Sequence, residues 1–175
     1  MIVDECGANV NLTPRYARAP RSERAYGSVP RNTPASTTLI ASLTLSGIST
    51  GLLLPGATDH LAFEAYIEQV LAPTLRAGQI VLIDNLSAHK STRVQASIQA
   101  CGCELWFLPS YSPDLSPIEE AFAKLKNIWR QAAARTVDTL ADTITTSLPS
   151  ITPSDAAAFF RDCGYQIEAP LVQPL

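Results

Sequence analysis

Gln79-Ile80-Val81-Leu82-Ile83-Asp84 is an unbroken apolar run that ends on an acid. A strand with one wet face alternates apolar and polar side chains, whereas a strand covered on both faces has no need to. The run therefore predicts a strand inside a sheet flanked by helices, with a carboxylate where the chain leaves it. Working outward, Asp59 stands as an N-cap for a helix to about Arg76; Leu61, Tyr66, Ile67, Val70 and Leu71 recur at helical spacing, and Gly78 marks the end. On the other side a helix is expected from roughly His89 to Ala100, then a strand from Glu104 to Leu108. The proline-rich loop Pro109 to Ser116 leads to Pro117, which opens a helix whose apolar positions Ile118, Phe122, Leu125 and Trp129 step by four, three and four. Proline costs little there, because an N–H in a helix's first turn has no intrahelical partner.

Further from the run, Met1 to Asp4 reads as a short strand, clipped at its start, and Asn9 to Tyr16 as a second one. The stretch from Ala19 to Ser36, with Pro20, Pro30 and Pro34, reads as a loop. Thr37 to Leu45 and Ile48 to Leu54 are rich in β-branched residues and leucine, and Ser46-Gly47 between them predicts a hairpin. Val137 to Leu148 and Pro153 to Cys163 are expected to be helices, and no internal repeat is present. Strands first, then alternating helix and strand, then helices: the order predicts an α/β fold, a mixed sheet with helices on both faces. A length of 175 residues fits a single domain spanning 1–175.

Composition narrows the function. The chain is 46% hydrophobic and 17% charged, which excludes a disordered chain. No apolar run approaches the length of a bilayer span, and the N-terminus lacks the basic start and apolar stretch of a signal peptide, so the expected location is cytoplasmic. Cys6, Cys101, Cys103 and Cys163 do not form the paired spacing of a zinc site, and reduced, mostly buried thiols are expected. A net charge of −3 is unusual for a protein that neutralises phosphates, but it conceals an asymmetry. Arg15, Arg18, Arg21, Arg24 and Arg31 lie close together, and Lys124, Lys126, Arg130 and Arg135 form a second basic group.

Three acids share one kind of position. Asp4 ends the first apolar strand, Asp84 ends the run from Gln79, and Glu119 lies in the first turn of the helix opened by Pro117. Open α/β sheets place their sites at such strand ends, and the helix dipole favours a first-turn Glu. Carboxylates converging there suit divalent cations that prefer hard oxygen donors, and two Mg²⁺ ions roughly 3.5–4 Å apart neutralise and activate a phosphodiester under attack. Taken singly, a strand-terminal Asp is usually a turn or capping residue and a first-turn Glu usually a dipole partner.

The wording around the acids is more specific. Asp84-Asn85-Leu86-Ser87-Ala88-His89, followed by Leu108-Pro109-Ser110-Tyr111-Ser112-Pro113-Asp114-Leu115-Ser116-Pro117-Ile118-Glu119, closely resembles the DDE transposases of the Tc/mariner superfamily, especially the bacterial insertion-sequence branch. The 34 residues between Asp84 and Glu119 match that group's spacing, and Asp4-Glu5 matches its first catalytic Asp with the Glu that follows it. The basic stretch from Arg15 to Arg24 and the closing Cys163-Gly164-Tyr165 are similar to the family as well, so the resemblance spans nearly the whole chain. Ser116 stands where the family usually has Asn, and Ala17 and Ser22 stand where glycines are common.

The resemblance implies an RNase H-like fold and a transposase catalytic domain that cleaves DNA at transposon ends and transfers the freed 3′-hydroxyl into target DNA. It implies Asp4, Asp84 and Glu119 as catalytic metal ligands for Mg²⁺ or Mn²⁺, two ions in all, with Glu120 the weaker candidate because it points away round the helix. The expected partners are DNA and a second copy in a homodimer, and the expected location is the nucleoid. The family's N-terminal helix-turn-helix domain does not precede Asp4, so end recognition is expected on a missing segment or a separate polypeptide. Arg18, Arg21, His89, Tyr111 and Lys124 are candidate DNA contacts. His89 is equally a residue that orients Asp84 or one that merely lies in a first helical turn. Tyr111 is a candidate for stacking on a frayed base, Asp114 is read as a turn former, and Trp106 and Trp129 as core. Two other classes remain: a truncated, inactive fragment that only binds DNA or dimerises, suggested by the clipped first strand, and a host nuclease on the same fold.

Overall fold

The computed structural model describes residues 1–30, 36–86 and 89–167. Arg31 of the first basic group and Ser87 and Ala88 of the Asp84 phrase lie outside the described residues. Five strands form one mixed sheet: β1 (Ile2–Ala8), β2 (Thr37–Thr44), β3 (Gly47–Pro55), β4 (Ile80–Ile83) and β5 (Glu104–Phe107), in the order β3-β2-β1-β4-β5. β1, β2 and β3 pair antiparallel, while β4 and β5 run parallel to β1. The helices are α1 (His60–Tyr66), α2 (Thr92–Ala100), α3 (Pro117–Ala132), α4 (Val137–Ser147) and α5 (Pro153–Asp162).

Strand alternation sorts the core into two layers. Val3, Ile40, Val81 and Ile83 face α1 and α2, where Phe63, Tyr66, Ile67, Val94 and Ile98 cover them. Ile2, Cys6, Leu39, Ala41 and Leu43 face the other way, onto α3, α4 and α5 through Phe122, Leu125, Trp129, Ile144 and Phe160. Trp129 is fully buried, as expected, and its indole N–H donates to Ser147 Oγ at 2.8 Å. The four cysteines are free, and Cys6, Cys103 and Cys163 are buried.

Several local expectations are corrected. Residues 9–16 form no strand: β1 already runs to Ala8, and Asn9 then turns the chain, its carbonyl and side-chain oxygen accepting from Leu12 and Asn11 N–H at 3.2 and 3.0 Å. β1 lies between β2 and β4, so β1 itself offers no free edge for such a strand to pair with. β1 runs for seven residues, and Asp4 sits within it rather than at its end. The helix capped by Asp59 passes into a π turn (Ile67–Leu71) and a 3-10 turn (Ala72–Thr74), where Pro73 cannot continue the α ladder. α2 starts after His89, because Ser91 Oγ accepts from Arg93 and Val94 N–H and sets the boundary. Trp106 is 52% exposed, not core. α3 packs over β1 and β2, and on that face Trp106 of β5 is left half exposed and Ile80 of β4 partly so. Ser116 makes no side-chain cap to α3; only its carbonyl accepts, from Glu119 N–H at 3.1 Å. Ser22, in a place where the resemblance expects glycine, adopts a left-handed φ of 72°, so the backbone keeps the glycine-type turn at some cost in strain.

Candidate active site

The parallel strands decide where the acids meet. Ile2 pairs with Leu82 and Val3 with Ile83, and then β4 ends. One further step along both chains sets Asp4 beside Asp84, on strands roughly 4.8 Å apart. By alternation, Asp4 lies on the face of Ile2 and Cys6, and Asp84 on the face of Leu82, which is the α3 side. α3 lies over that face with its first turn at the same sheet edge, and Pro117 and Ile118, both buried, anchor it there. Asp4, Asp84 and Glu119 therefore line one open cleft of about 330 Å³, walled by Asn85 and Leu86 after β4 and by the loop from Pro109 to Pro113 after β5. Asn85 Nδ2 donates to Ser110 Oγ at 3.0 Å and ties the two walls together.

Electrostatics mark the cleft. Burial, resisted by the hydrogen bond from Glu5 N–H and reinforced by the charges of Glu119, Glu5 and Asp84, pushes the Asp4 carboxyl up to about 7. Carboxylates crowded in this way are stabilised by a cation. Among the described residues, no three acidic, histidine or cysteine side chains are drawn close enough to enclose one ion. The donor set still fits magnesium or manganese. All its donors are hard oxygens, and Mg²⁺ ordinarily keeps several waters and takes one or two carboxylates together with substrate phosphate. A closed cage is therefore not needed beforehand. The Cys6 thiol, on the same strand, is pushed up to about 11, by burial first and against the pull of Lys126, so it stays protonated and unreactive.

His89 is buried, 1% exposed, so it presents no surface to a DNA phosphate. Nδ1 donates to Asp84 Oδ1 and Nε2 to Glu5 Oε1, the latter at 2.9 Å. Burial opposes its charge, but these two hydrogen bonds and the carboxylate charges prevail and push the imidazole up to about 9, so both nitrogens carry protons near neutrality. Tyr111 is fully exposed at the cleft wall with φ 57°, and Arg18 and Arg21 are exposed on the loop after β1. Lys124 is committed elsewhere: its ammonium lies 2.7 Å from Asp155 of α5. Arg135 of the same basic group donates to the carbonyls of Val10 and Leu12 at 3.0 and 2.9 Å. Glu120 faces α5, where burial and then the charge of Asp162 raise its pKa. Asp114 sits in the 3-10 turn Pro113–Leu115 and does not line the cleft. Glu5 was missed as a site residue because the expected first strand ended at Asp4, whereas β1 runs on through Glu5 to Ala8 and alternation puts Glu5 on the face opposite Asp4.

A five-stranded mixed sheet in this order, with helices on both faces and acids at one end of its parallel strands, defines the RNase H-like class of folds. The chain belongs to the DDE superfamily endonucleases, whose family model matches residues 1–141. Among solved structures it is similar to the Mos1 transposase paired-end complex with left transposon end, with a TM-score of 0.73 and 19% identity over 93% of this chain and 50% of that one. A pre-cleavage Mos1 transpososome gives 0.63 and 15% over 95% and 56%, and the catalytic domain of Mos1 mariner transposase gives 0.52 and 16% over 95% and 84%. At these identities the likeness is one of fold. The chain spans about half the length of the first two of these structures. A comparison with curated proteins found no match.

Proposed function

We propose that the chain is the catalytic domain of a Tc/mariner transposase of the bacterial insertion-sequence type. It hydrolyses a phosphodiester at a transposon end and directs the freed 3′-hydroxyl at target DNA. The observation that carries this reading is the placement of Asp4, Asp84 and Glu119, from three separate elements, around one open cleft at the C-terminal edge of the parallel strands. Asp4, Asp84 and Glu119 would hold Mg²⁺ or Mn²⁺, two ions in all, which would supply charge neutralisation at phosphorus and an acidified water. Asp4 and Asp84 each have Oδ1 occupied by a protein donor, Glu5 N–H at 2.7 Å for the first and His89 with Leu86 N–H for the second, which sets their orientation. Glu119, exposed on the first turn of α3, approaches from across the cleft. The open cleft admits a DNA backbone, and Tyr111 at its wall offers a ring to an unstacked base. Magnesium and manganese are the metals named for Mos1 paired-end complexes, and the same use is proposed here.

We further propose that the domain works as a homodimer at the nucleoid and that a helix-turn-helix segment or polypeptide supplies recognition of the transposon end. Among the described residues no helix is long and apolar enough to cross a membrane. The test is nicking of supercoiled DNA by the chain at low salt with Mn²⁺. Nicked circles are expected from the parent, and none from Asp84→Asn, which keeps the shape of the side chain and removes its charge. Nicking by a correctly folded Asp84→Asn variant at the parental rate would overturn the assignment. Parent protein that neither nicks DNA nor binds millimolar Mn²⁺ would favour a non-catalytic fragment.

A further inference from the structure

Asp84 follows a strand of four residues and opens a loop, and a strand end does not by itself fix a carboxylate's rotamer. What fixes it comes from another strand. The His89 ring is stacked on Phe63, with centroids 4.0 Å apart and 24° between planes, and is closed off from solvent. Its Nδ1 donates to Asp84 Oδ1 and its Nε2 to Glu5 Oε1 at 2.9 Å. Leu86 N–H donates to the same Asp84 oxygen at 3.2 Å. Among the described residues, every hydrogen bond to this carboxylate thus falls on Oδ1, and Oδ2 stays uncommitted. Glu5 is on β1, one residue beyond Asp4 and on the opposite sheet face.

We infer that Glu5 is a positioning residue: acting through His89, it clamps the Asp84 carboxylate so that Oδ2 is left to a cation, and it couples the two strands that carry the site's aspartates. The inference rests on the reading of Asp84 as a metal ligand and adds to it a residue outside the acid trio. The chain Glu5–His89–Asp84 crosses from β1 to the loop after β4, joining positions 84 residues or fewer apart in sequence through one buried ring. Stacking removes the ring's freedom to tilt, and the two carboxylates remove its freedom to rotate. Loss of Glu5 releases one end of the ring and lets Asp84 swing. Partners that orient a metal ligand in this way contribute tenfold or more to affinity, on the order of 10–100-fold when removed.

Calorimetric titration of the full chain with Mn²⁺, beside metal-free thermal melts, tests this. Glu5→Ala is expected to weaken Mn²⁺ binding on the order of tenfold. Glu5→Gln, whose amide oxygen still accepts from Nε2, is expected to recover most of the affinity. His89→Gln should lose about as much as Glu5→Ala, and the double variant no more than either, because the two residues act as one unit. Affinity of Glu5→Ala within about twofold of the parent overturns the inference even if its melting temperature falls, since Glu5 is then only a structural partner. If Glu5→Ala does not fold, His89→Gln decides the matter by the same criterion. A parent chain that binds no Mn²⁺ overturns the metal reading and the clamp together, whereas tight parental binding with unaffected variants overturns the clamp alone.

Discussion

Gly47 opens β3 with φ +107°, and a β-carbon built there would run into the carbonyl of Ile151, at the end of the turn that follows α4. Two separate constraints thus demand glycine: a left-handed backbone and a close backbone approach. Gly47→Ala is expected to destabilise the fold by about 1–3 kcal/mol from backbone strain alone, read as a lower urea midpoint with an unchanged slope. An unchanged midpoint would show that the Ile151 segment yields freely. At the same scale, the two aspartates show why residue type alone did not define the site. Burial and neighbouring carboxylates push the Asp4 carboxyl up to about 7, which its residue type alone does not foretell. The short contact from His89 gives Asp84 a partner that the linear order of residues placed only as one of three possibilities.

Among the elements, α5 illustrates how a helix is held at its start. Thr152 and Asp155 form a capping box, Thr152 Oγ1 accepting from Asp155 N–H at 3.2 Å and Asp155 Oδ2 accepting from Thr152 N–H at 2.9 Å. The Lys124 ammonium, then the Thr152 hydroxyl and backbone N–H, hold the Asp155 carboxyl down at about 2, from an ordinary 3.8. A carboxylate with a folded-state pKa below its unfolded one adds stability that is complete above the unfolded value and disappears as pH falls toward the folded one. Asp155→Asn should therefore melt below the parent at pH 7, and the gap should close between about pH 4 and pH 2. A gap that stayed constant over that window would show that the charge plays no part. The starts of α3 at Pro117 and of α5 at Pro153 were legible from the sequence. The Asn9–Tyr16 segment was not: its composition suits a strand, but β1 has neighbours on both sides, and a strand needs a free edge.

Across the whole molecule, the fold sorts the basic residues into those left for a partner and those spent internally. Lys124 is tied to Asp155, Arg135 to two carbonyls, and Arg93 to Glu64 and Glu68 across the α1–α2 layer. The loop carrying Arg18 and Arg21 stays exposed. With a net charge of −3, the chain alone should bind duplex DNA only in the non-specific range, with a dissociation constant on the order of 10⁻⁵ M that weakens steeply with salt. Fluorescence anisotropy should show binding weakened further by Arg18→Glu with Arg21→Glu, and scarcely changed by Lys124→Ala. Equal losses from both changes would contradict this division.

The sequence alone determined the α/β class, the hairpin, the helical face of α3 and the acid that follows β4. Periodicity, caps and turn residues are local signals, and local signals survive in a linear string. Only the tertiary structure decided that β1 and β4 lie side by side in a register that sets Asp4 beside Asp84, that α3 packs over β1 and β2 while Trp106 on β5 stays half exposed, that Lys124 serves α5, and that Glu5 reaches Asp84 through His89. Each of these depends on which elements pack together across long stretches of chain. Pairing, register and burial are properties of the assembled layers and cannot be read from any one segment.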